Sequence, residues 1–422
     1  MKIAVIGGGI SGLSAAQFLC EKYDVTVFEK DNRPGGLIKC RRVNGSLFHT
    51  CGGHVFNSKR ADVLEWFWSK LNRESDFVKA DRNSVVYVDN KGMVDAYGDS
   101  VIPYPIENHV YLFNKELQKK IIDDFVKIAK NEGAEPANFE EFLKNRFGAT
   151  LYDIYFRPYN EKVWRKDLKN VPLSWLEGKL PMPTVAEMII NNINHVKEKA
   201  FVHATFWYEK KDGSQHIIDT LSEGLNIKCD SKIDSIEKSG NGWLVNGERF
   251  DKVVFCGNIK DLPGILKGAD LSEYTDHIAA LEYHGTTAAF CEIDANPYSW
   301  IYQPSGRHES HRIICTGNFS PTNNSETLPK GRITATVEFT DEISKEDILD
   351  NLKRMPLNPK YLDHQYNPYT YPVQNADTRK MIQTMKQHLA GDNFYFTGRF
   401  ADWEYYNMDV AIGAAMDLCR SL

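Results

Sequence analysis

A glycine-rich turn near the start of the chain constrains the fold more than any other feature of the sequence. Residues 7–12, Gly-Gly-Gly-Ile-Ser-Gly, carry the spacing Gly-x-Gly-x-x-Gly between a predicted strand, Lys2–Ile6, and a predicted helix at 11–20. In that context the three glycines permit a tight turn, close approach of a pyrophosphate and close helix–strand packing. The free N–H groups at the helix start favour phosphate. The sequence therefore predicts a Rossmann-type dinucleotide site.

The residues after the turn complete a β-α-β unit. Asp24–Phe28 reads as a second buried strand, and Glu29 follows it directly. A carboxylate at that position accepts hydrogen bonds from a ribose. The alternative is a glycine-rich turn that binds no ligand. It is disfavoured because the strand, the glycines, the helix, the second strand and Glu29 all occur at the spacing of a dinucleotide site. The residues predicted to hold the adenosine and diphosphate are Gly7, Gly9, Ser11, Gly12, Glu29 and Lys30.

Composition excludes several function classes. The 422 residues carry a net charge of 51 − 57 = −6, which argues against binding to nucleic acid or to an anionic membrane. The eight cysteines form no Cys-x-x-Cys pair, so neither a zinc site nor a disulfide framework is predicted, and no metal site is expected. No signal peptide and no apolar run long enough to span a bilayer are found, which predicts a cytoplasmic protein.

The predicted secondary structure of the rest of the chain changes from helical to strand-rich and ends with one strand and one helix. Residues 114–164 have helical periodicity, with Asn138 and Glu141 as a candidate capping box, and a further helix is predicted at 184–199. After residue 227 short strands dominate, at 233–237, 243–245, 252–256, 286–291, 312–316 and 332–339. The chain ends with a strand at 393–397 and a helix from about Asn407.

This order of elements predicts an α/β protein with a discontinuous Rossmann-like domain. Residues 1–95, 205–265 and 385–422 are expected to form the dinucleotide-binding domain. A helical substrate-binding domain at 100–200 and an antiparallel β-sheet substrate domain at 266–384 are inserted between them.

Three spaced motifs distinguish FAD from NAD as the dinucleotide. Arg33-Pro34-Gly35-Gly36, residues 252–257 and Phe396-Thr397-Gly398-Arg399 resemble, in order, three motifs of the glutathione-reductase-like FAD superfamily. The helix after Asn407 would direct its positive end at reduced flavin, which carries negative charge. The further cofactor contacts that this resemblance implies are Gly35, Gly36, Leu37, His54, Ile233, Gly398, Arg399, Asn407 and Met408.

Several segments resemble the UDP-galactopyranose mutase family over most of the chain. They are Gly52-Gly53-His54-Val55-Phe56 beside the flavin, Ile102-Pro103-Tyr104-Pro105 at the base, residues 157–164, Ser174–Lys179, Trp300-Ile301-Tyr302 with Arg312, Tyr371-Pro372, and Gly398-Arg399 with 405–408.

The resemblance implies chemistry without net oxidation. N5 of reduced FAD attacks the anomeric carbon of a nucleotide sugar and displaces the nucleoside diphosphate. The sugar ring then opens and closes through a different hydroxyl, so that pyranose and furanose forms interconvert. UDP-galactopyranose and galactofuranose, or a related pair used for cell-surface polysaccharides, are the implied substrates, with NAD(P)H or a reductase as external reductant and a homo-oligomer left open. His54, Arg312 and Lys179 are the implied catalytic residues. The implied substrate contacts are Tyr104, Glu107, Tyr155, Asn160, Trp164, Lys179, His203, Tyr302, Arg312, Tyr371, Arg399, Tyr405 and Asn407.

The residue types agree with a diphosphate ligand. Arg312 and Arg399 supply guanidinium groups, and Tyr371 and Tyr405 supply phenolic donors. The alternatives are a surface ion pair for Arg312, a buried core tyrosine for Tyr405 and core packing for Trp164.

The sequence departs from the fungal-type mutases at several positions. Ile106 and Glu107 stand where those enzymes carry Phe and Gln beside uracil, and Phe319 stands where they carry a phosphate-binding Tyr. His203 replaces an Asn, and Lys179 replaces an Arg, which keeps the charge and loses the bidentate fork. Because a glutamate only accepts hydrogen bonds, Glu107 suits the donors on guanine better than uracil. We therefore expect a nucleotide other than UDP.

Two other function classes share the cofactor framework. An FAD-dependent oxidase or desaturase of the amine-oxidase or protoporphyrinogen-oxidase type needs a largely apolar substrate cavity. A GDP-dissociation inhibitor, which binds prenylated GTPases without flavin, lacks intact FAD motifs. The converging arginines and tyrosines favour the mutase over both.

Overall fold

The computed structural model of the protein describes residues 1–88, 93, 101–130, 135–171, 173, 183–196 and 204–422. The strands are β1 (Lys2–Ile6), β2 (Asp24–Phe28), β3 (Cys40–Val43), β4 (Ser46–His49), β5 (Phe77–Asp81), β6 (Ser84–Tyr87), β7 (Val101–Pro103), β8 (Thr205–Glu209), β9 (Asn226–Lys228), β10 (Ile236–Ser239), β11 (Gly242–Val245), β12 (Glu248–Phe250), β13 (Lys252–Phe255), β14 (Leu266–Lys267), β15 (Tyr283–Asp294), β16 (Trp300–Tyr302), β17 (Arg312–Ile314), β18 (Arg332–Thr340), β19 (Lys360–Pro372) and β20 (Phe394–Phe396). The helices are α1 (Ile10–Leu19), α2 (Ala61–Lys70), α3 (Arg73–Asp76), α4 (Lys115–Lys130), α5 (Phe139–Phe147), α6 (Ala149–Leu151), α7 (Arg157–Trp164), α8 (Val185–Ile193), α9 (Ser214–Ser222), α10 (Leu262–Ile265), α11 (Ser272–Ala279), α12 (Lys345–Leu352), α13 (Ala376–Ala390) and α14 (Met408–Arg420).

A parallel sheet carries the glycine-rich turn. Its strand order is β20-β13-β1-β2-β9, so strands from both ends of the chain and from its middle pair with one another. Val5 in β1 lies opposite Val254 and Val27, and all three are fully buried, as expected for a sheet covered on both faces. α1 and α14 pack together on one face. The predicted β-α-β unit is confirmed, with α1 starting and ending one residue earlier than expected.

A second sheet of mixed direction forms the other large layer. Its order is β19-β15-β18-β17-β16-β6-β7, and its neighbouring strands are antiparallel except β16 and β6, which run parallel. Because β6 and β7 precede residue 104, this sheet draws on the early part of the chain as well as on 283–372. The α/β fold class is confirmed. Smaller sheets pair β12-β11-β10-β14, β3-β4 and β5-β8.

The helical segment packs around its own aromatic core. The side chain of Asn138 accepts the N–H of Glu141 at 2.9 Å, and Glu141 accepts the N–H of Ala137 instead of that of Asn138, so the capping box is shifted by one residue. α6 and α7 are joined through one π-helical turn at Tyr152–Phe156. Pro158 lacks the N–H that a regular α-helix needs there, which accounts for the irregular turn.

Two element boundaries differ from the sequence prediction. α8 ends at Ile193 and not at residue 199, because Asn194 closes the helix with a backbone N–H to Ile190 and His195 adopts φ = +50°. The strand expected at 233–237 is β10, which begins at Ile236. Residues 233–235 instead form an extended turn in which Asn246 accepts backbone N–H groups of Asp234 and Ser235.

Candidate functional site

One large cavity connects the parallel sheet to the mixed sheet. Its volume is about 2290 Å³, and its walls include the glycine-rich turn, the end of β2, the loop at 51–55 and the segment from Gly398 to α14. A cavity for a single small ligand spans about 300–1,000 Å³. The volume is therefore large enough for a dinucleotide and a second ligand together.

The glycine turn has the geometry of a pyrophosphate cradle. Gly7 adopts φ = +109°, and a Cβ at Gly12 would lie 1.9 Å from the carbonyl oxygen of Gly7, so both positions require glycine. At Gly9, which precedes α1, a Cβ would meet Cα of Gly36 only at 3.8 Å, so its backbone faces open space. Among the described residues, no side chain caps the N-terminus of α1. An uncapped helix start beside an open glycine fits an anionic diphosphate.

Glu29 is fixed at the end of β2. One carboxylate oxygen accepts the N–H of Gly8 at 2.8 Å, and the other accepts the N–H of Asp31 at 2.9 Å. The residue is buried and lines the cavity. Each carboxylate oxygen has a second lone pair, so hydrogen bonds to a ribose remain available.

The predicted cofactor residues all lie on the cavity wall, and their binding roles stay predictions. Gly36 adopts φ = +53° and faces Gly9, which brings the second motif onto the first. The residues concerned are Gly7, Gly9, Ser11, Gly12, Glu29, Lys30, Gly35, Gly36, Leu37, His54, Ile233, Gly398, Arg399, Asn407 and Met408.

Arg312 is held in the cavity wall by a buried carboxylate. Its Nε donates to Oε2 of Glu338 at 2.6 Å, and one Nη also contacts that oxygen. The same Nη donates to the hydroxyl of Tyr371 at 3.4 Å. Burial opposes the charge of Arg312, but the Glu338 carboxylate outweighs it, and the pKa of Arg312 lies above its ordinary value. Within the part of the chain that the structure describes, the hydrogen bonds of Arg312 leave Nη1 unused, so its donors are available to an anion.

A ladder of two arginines and two tyrosines extends from Arg312. The rings of Tyr371 and Tyr405 are parallel, with an interplanar angle of 4° and centroids 5.5 Å apart. The guanidinium of Arg399 lies 4.6 Å from the Tyr405 centroid. Arg399 also donates to the carbonyl oxygens of Tyr406 and Thr370. The ladder (Arg312, Tyr371, Tyr405 and Arg399) therefore forms a rigid positive wall with phenolic donors, as an oxyanion ligand requires.

His54 is a neutral group beside this wall. Its Nε2 donates to the carbonyl oxygen of Leu37 at 3.1 Å, so the ring is tied to the second glycine motif. Burial, and then the charge of Arg399, lower the pKa of His54 to about 4. At neutral pH it is therefore a polar, uncharged contact.

A third arginine, which was not predicted from the sequence, lines the cavity beside the end of β16. Arg82 donates to the hydroxyl of Tyr302 and, through Nε, to Ser84 at 2.7 Å. Its guanidinium lies 5.6 Å from the ring of Tyr104 and 5.1 Å from that of Trp300. The predicted residues Tyr104 and Tyr302 are thus brought together, with their ring centroids 4.8 Å apart.

Four predicted substrate residues lie off the cavity wall. Tyr155 and Trp164 are buried in the helical core, and Asn160 donates to the carbonyl oxygen of Phe156. Glu107 is also buried, so the argument that it selects the base loses its geometric support. Trp164 matches the core-packing alternative. Their substrate contacts remain untested predictions, as do those of Lys179 and His203, which lie outside the described residues.

Phe319 is buried behind the cavity wall and does not line the cavity. Its ring packs against Phe206, Tyr208 and Trp300, with centroid distances of 5.6, 5.2 and 4.9 Å. The loss of a hydroxyl here is explained by an apolar environment, since a buried hydroxyl without a partner would be costly.

Two residues of the site, Glu338 and Arg82, were not predicted from the sequence, although the sequence around Glu338 carries a weak signal. Glu338 is the one acidic residue in β18, whose other residues from Ile333 to Thr340 are buried and uncharged. A charge in such a strand is costly unless it is paired, which could have marked it as a partner for an arginine. Arg82 had no comparable signal, because the rings around it, Tyr104, Trp300 and Tyr302, come from distant parts of the sequence.

Over the residues described, no group of three or more metal-ligating side chains is found, and no helix is long and apolar enough to cross a membrane.

Similar proteins extend these observations. Residues 5–71 match the family model for an NAD(P)-binding Rossmann-like domain, which confirms a dinucleotide fold around the glycine turn. Over 99% of its length the chain is 24% identical to a dTDP-fucopyranose mutase of Escherichia coli, covering 97% of that protein. The solved structure of a reduced UDP-galactopyranose mutase superposes with a TM-score of 0.84 at 21% identity, covering 99% of this chain and 93% of that one. Over almost its full length, the chain is therefore similar in sequence to one pyranose mutase and in fold to another.

An oxidase is also similar to this protein in sequence, over a smaller part of the chain. A coproporphyrinogen III oxidase of Staphylococcus aureus is 31% identical over 68% of the chain, which spans 63% of that enzyme. In sequence, the mutase match therefore covers almost the whole of both proteins, and this oxidase match covers about two thirds of each.

Proposed function

We propose that the protein is an FAD-dependent mutase that interconverts the pyranose and furanose forms of a nucleotide sugar. The observation that carries this proposal is the ladder of Arg312, Tyr371, Tyr405 and Arg399, which shares one cavity with a dinucleotide turn. The similarity to full-length mutases supports it. FAD, when bound and reduced, supplies a nucleophilic N5 for the anomeric carbon and returns unchanged.

The side chains of the cavity perform binding and charge stabilisation. Arg312 offers its Nη1 donors, and Tyr371 holds its other Nη in place, so the diphosphate leaving group meets a fixed cation. Neutral His54 adds no charge next to the flavin edge. The N-terminus of α14, where the side chain of Asn407 makes no capping hydrogen bond, is suited to the negative charge of reduced flavin. Lys179 is proposed as a second leaving-group cation from the resemblance alone.

The nucleotide is proposed to be dTDP or UDP. The end of the cavity near Tyr104 is lined by Pro183, Glu187, Asn191 and Val196, a mixture of apolar and polar groups that suits a pyrimidine. The expectation of a guanine base rested on Glu107, which lies off the wall. The E. coli relative supports a thymidine nucleotide, and a calorimetric titration with UDP, dTDP and GDP decides the order of affinities.

A porphyrinogen oxidase is the alternative enzyme. Such an activity needs a largely apolar substrate cavity, whereas this cavity contains Arg82, Arg312 and Arg399. The proposed reductant, NAD(P)H or a reductase, and a homo-oligomeric state stay predictions, as does a cytoplasmic location.

The decisive experiment is a product assay under anaerobic conditions. The purified protein is reduced with dithionite and incubated with UDP-galactopyranose and dTDP-fucopyranose, and products are separated by chromatography. A furanose product is expected only with reduced protein. Arg312→Ala should lose most of this activity, whereas the exposed ion-pair variant Lys267→Ala should keep it.

Two results would contradict the proposal. One is a colourless protein that binds no FAD, which would also revive the GTPase-binding class. The other is oxygen-consuming turnover of a porphyrinogen together with no furanose from either sugar nucleotide.

A further inference from the structure

Glu338 is a buried charge in the middle of β18. Its side chain is 1% exposed, and Val337 and Phe339 on either side are fully buried. Removing a carboxylate from water costs several kcal/mol unless its partners compensate. The groups that bind the carboxylate of Glu338 therefore indicate its role.

The two oxygens of Glu338 bind two different parts of the cavity wall. Oε1 accepts the backbone N–H of Gly52 at 3.0 Å, and Oε2 accepts Nε of Arg312 at 2.6 Å. His311 lies 3.7 Å from Oε2, but its pKa is lowered well below the ordinary value by burial, so it adds no positive charge. One carboxylate thus bridges the loop at 51–55 and the ladder.

Gly52 in turn controls the position of His54. Gly52 adopts φ = +67°, and a Cβ there would lie 3.3 Å from Nε2 of His54. That same Nε2 donates to Leu37, next to Gly36 in the glycine cradle. A change in the Gly52 hydrogen bond therefore moves a segment packed against the imidazole and against the proposed flavin site.

We propose that Glu338 is a positioning residue that couples the flavin-side loop at 51–55 to the diphosphate-side Arg312. An anion bound at the unused Nη1 of Arg312 shares the positive charge that Glu338 neutralises, so the carboxylate is less neutralised there and its hydrogen bond to Gly52 strengthens. The inference rests on two parts of the proposed function, namely that FAD binds beside the loop at 51–55 and that a nucleoside diphosphate binds at Arg312.

The coupling has a measurable consequence. If flavin reduction changes the affinity for a nucleoside diphosphate by some factor, the ligand must shift the flavin potential by the same free energy. For a two-electron couple, a tenfold change in affinity corresponds to about 30 mV. Neither quantity depends on sugar isomerisation.

The test uses the full-length FAD-loaded protein with UDP and dTDP as probes. Dissociation constants are measured anaerobically for oxidised and reduced protein, and the flavin midpoint potential is measured with and without nucleotide. We expect about a tenfold ratio of affinities in the wild-type protein. In Glu338→Gln, which keeps size but loses the charge, the ratio should fall to within twofold of one.

Asp294→Asn is the matched control. Asp294 pairs with Arg332 at 2.6 Å in the same mixed sheet and away from the cavity, so this variant should keep the wild-type ratio. A purely structural role for Glu338 would lower affinity in both oxidation states and leave their ratio unchanged, which overturns the coupling.

The affinities of the wild-type protein alone also test the proposed coupling. Equal affinity in both oxidation states overturns the coupling even where furanose is formed. A wild-type ratio near ten that Glu338→Gln abolishes, without any mutase product, supports the coupling and contradicts the proposed function.

Discussion

Substituting two glycines of the same turn separates packing from ligand binding. In Gly12→Ala the new Cβ would lie 1.9 Å from the oxygen of Gly7, whereas ordinary contact begins at 3.4 Å. α1 must therefore move from β1 by up to 3.4 − 1.9 = 1.5 Å. Overpacking of this kind costs about 1–3 kcal/mol, against a gain of about 0.5–1 kcal/mol from alanine in a helix.

Gly9→Ala has the opposite expected effect. Gly9 has φ = −82°, which alanine adopts freely, and its Cβ would meet Gly36 only at 3.8 Å. The protein without cofactor should therefore be as stable as the wild type. The methyl group would stand where a pyrophosphate approaches, and loss of one charge-assisted hydrogen bond worth about 1.5–3 kcal/mol predicts FAD binding about 10- to 150-fold weaker.

Two assays distinguish the variants. Urea unfolding of cofactor-free protein should show a lower midpoint for Gly12→Ala and an unchanged one for Gly9→Ala. Titration with FAD, followed by quenching of flavin fluorescence, should show weaker binding for Gly9→Ala. Wild-type FAD affinity in Gly9→Ala would refute the cradle, and wild-type stability in Gly12→Ala would refute the packing argument.

Three further predictions concern the wall of the cavity. Tyr371→Phe removes the acceptor that holds Arg312 at 3.4 Å, so kcat/KM for the proposed mutase reaction should fall about 10-fold in steady-state assays, and a wild-type value would contradict it. Arg399→Lys cannot keep the bonds to two carbonyls, so urea unfolding should show about 2 kcal/mol less stability, with an unchanged value arguing against a rigid ladder. Because the folded pKa of His54, about 4, lies below the unfolded value of 6.5, the unfolded chain binds the extra proton and stability should fall between pH 6.5 and 4. His54→Asn should reduce that dependence in unfolding curves measured across this range, while buried His49, His308 and His311, whose pKa values are also lowered, supply the rest. An identical slope would show that His54 contributes nothing to it.

Local sequence determined the dinucleotide-binding unit because the residues that fix its conformation lie close together in the chain. A buried strand, three glycines and a helix within 20 residues leave one conformation, since two of the glycines allow no Cβ or need positive φ. The second glycine motif, at Gly35 and Gly36, also has positive φ angles, and Gly36 faces Gly9 of the first turn. The sequence also contained enough arginine and tyrosine to predict a diphosphate wall.

The tertiary structure alone decided which of those residues meet. Arg312, Tyr371 and Arg399 belong to three segments, and only strand pairing in the mixed sheet and the turn before α14 bring them together. The same packing buried Trp164 and Glu107 away from the cavity, although their local motifs suggested substrate contact. Glu338 became part of the site because β18 lies beside β17, and a burial cost of several kcal/mol keeps it paired with Arg312. Such long-range pairing depends on the whole chain: the sequence of β18 marks Glu338 as a charge that needs a partner, but it does not show that the partner is Arg312.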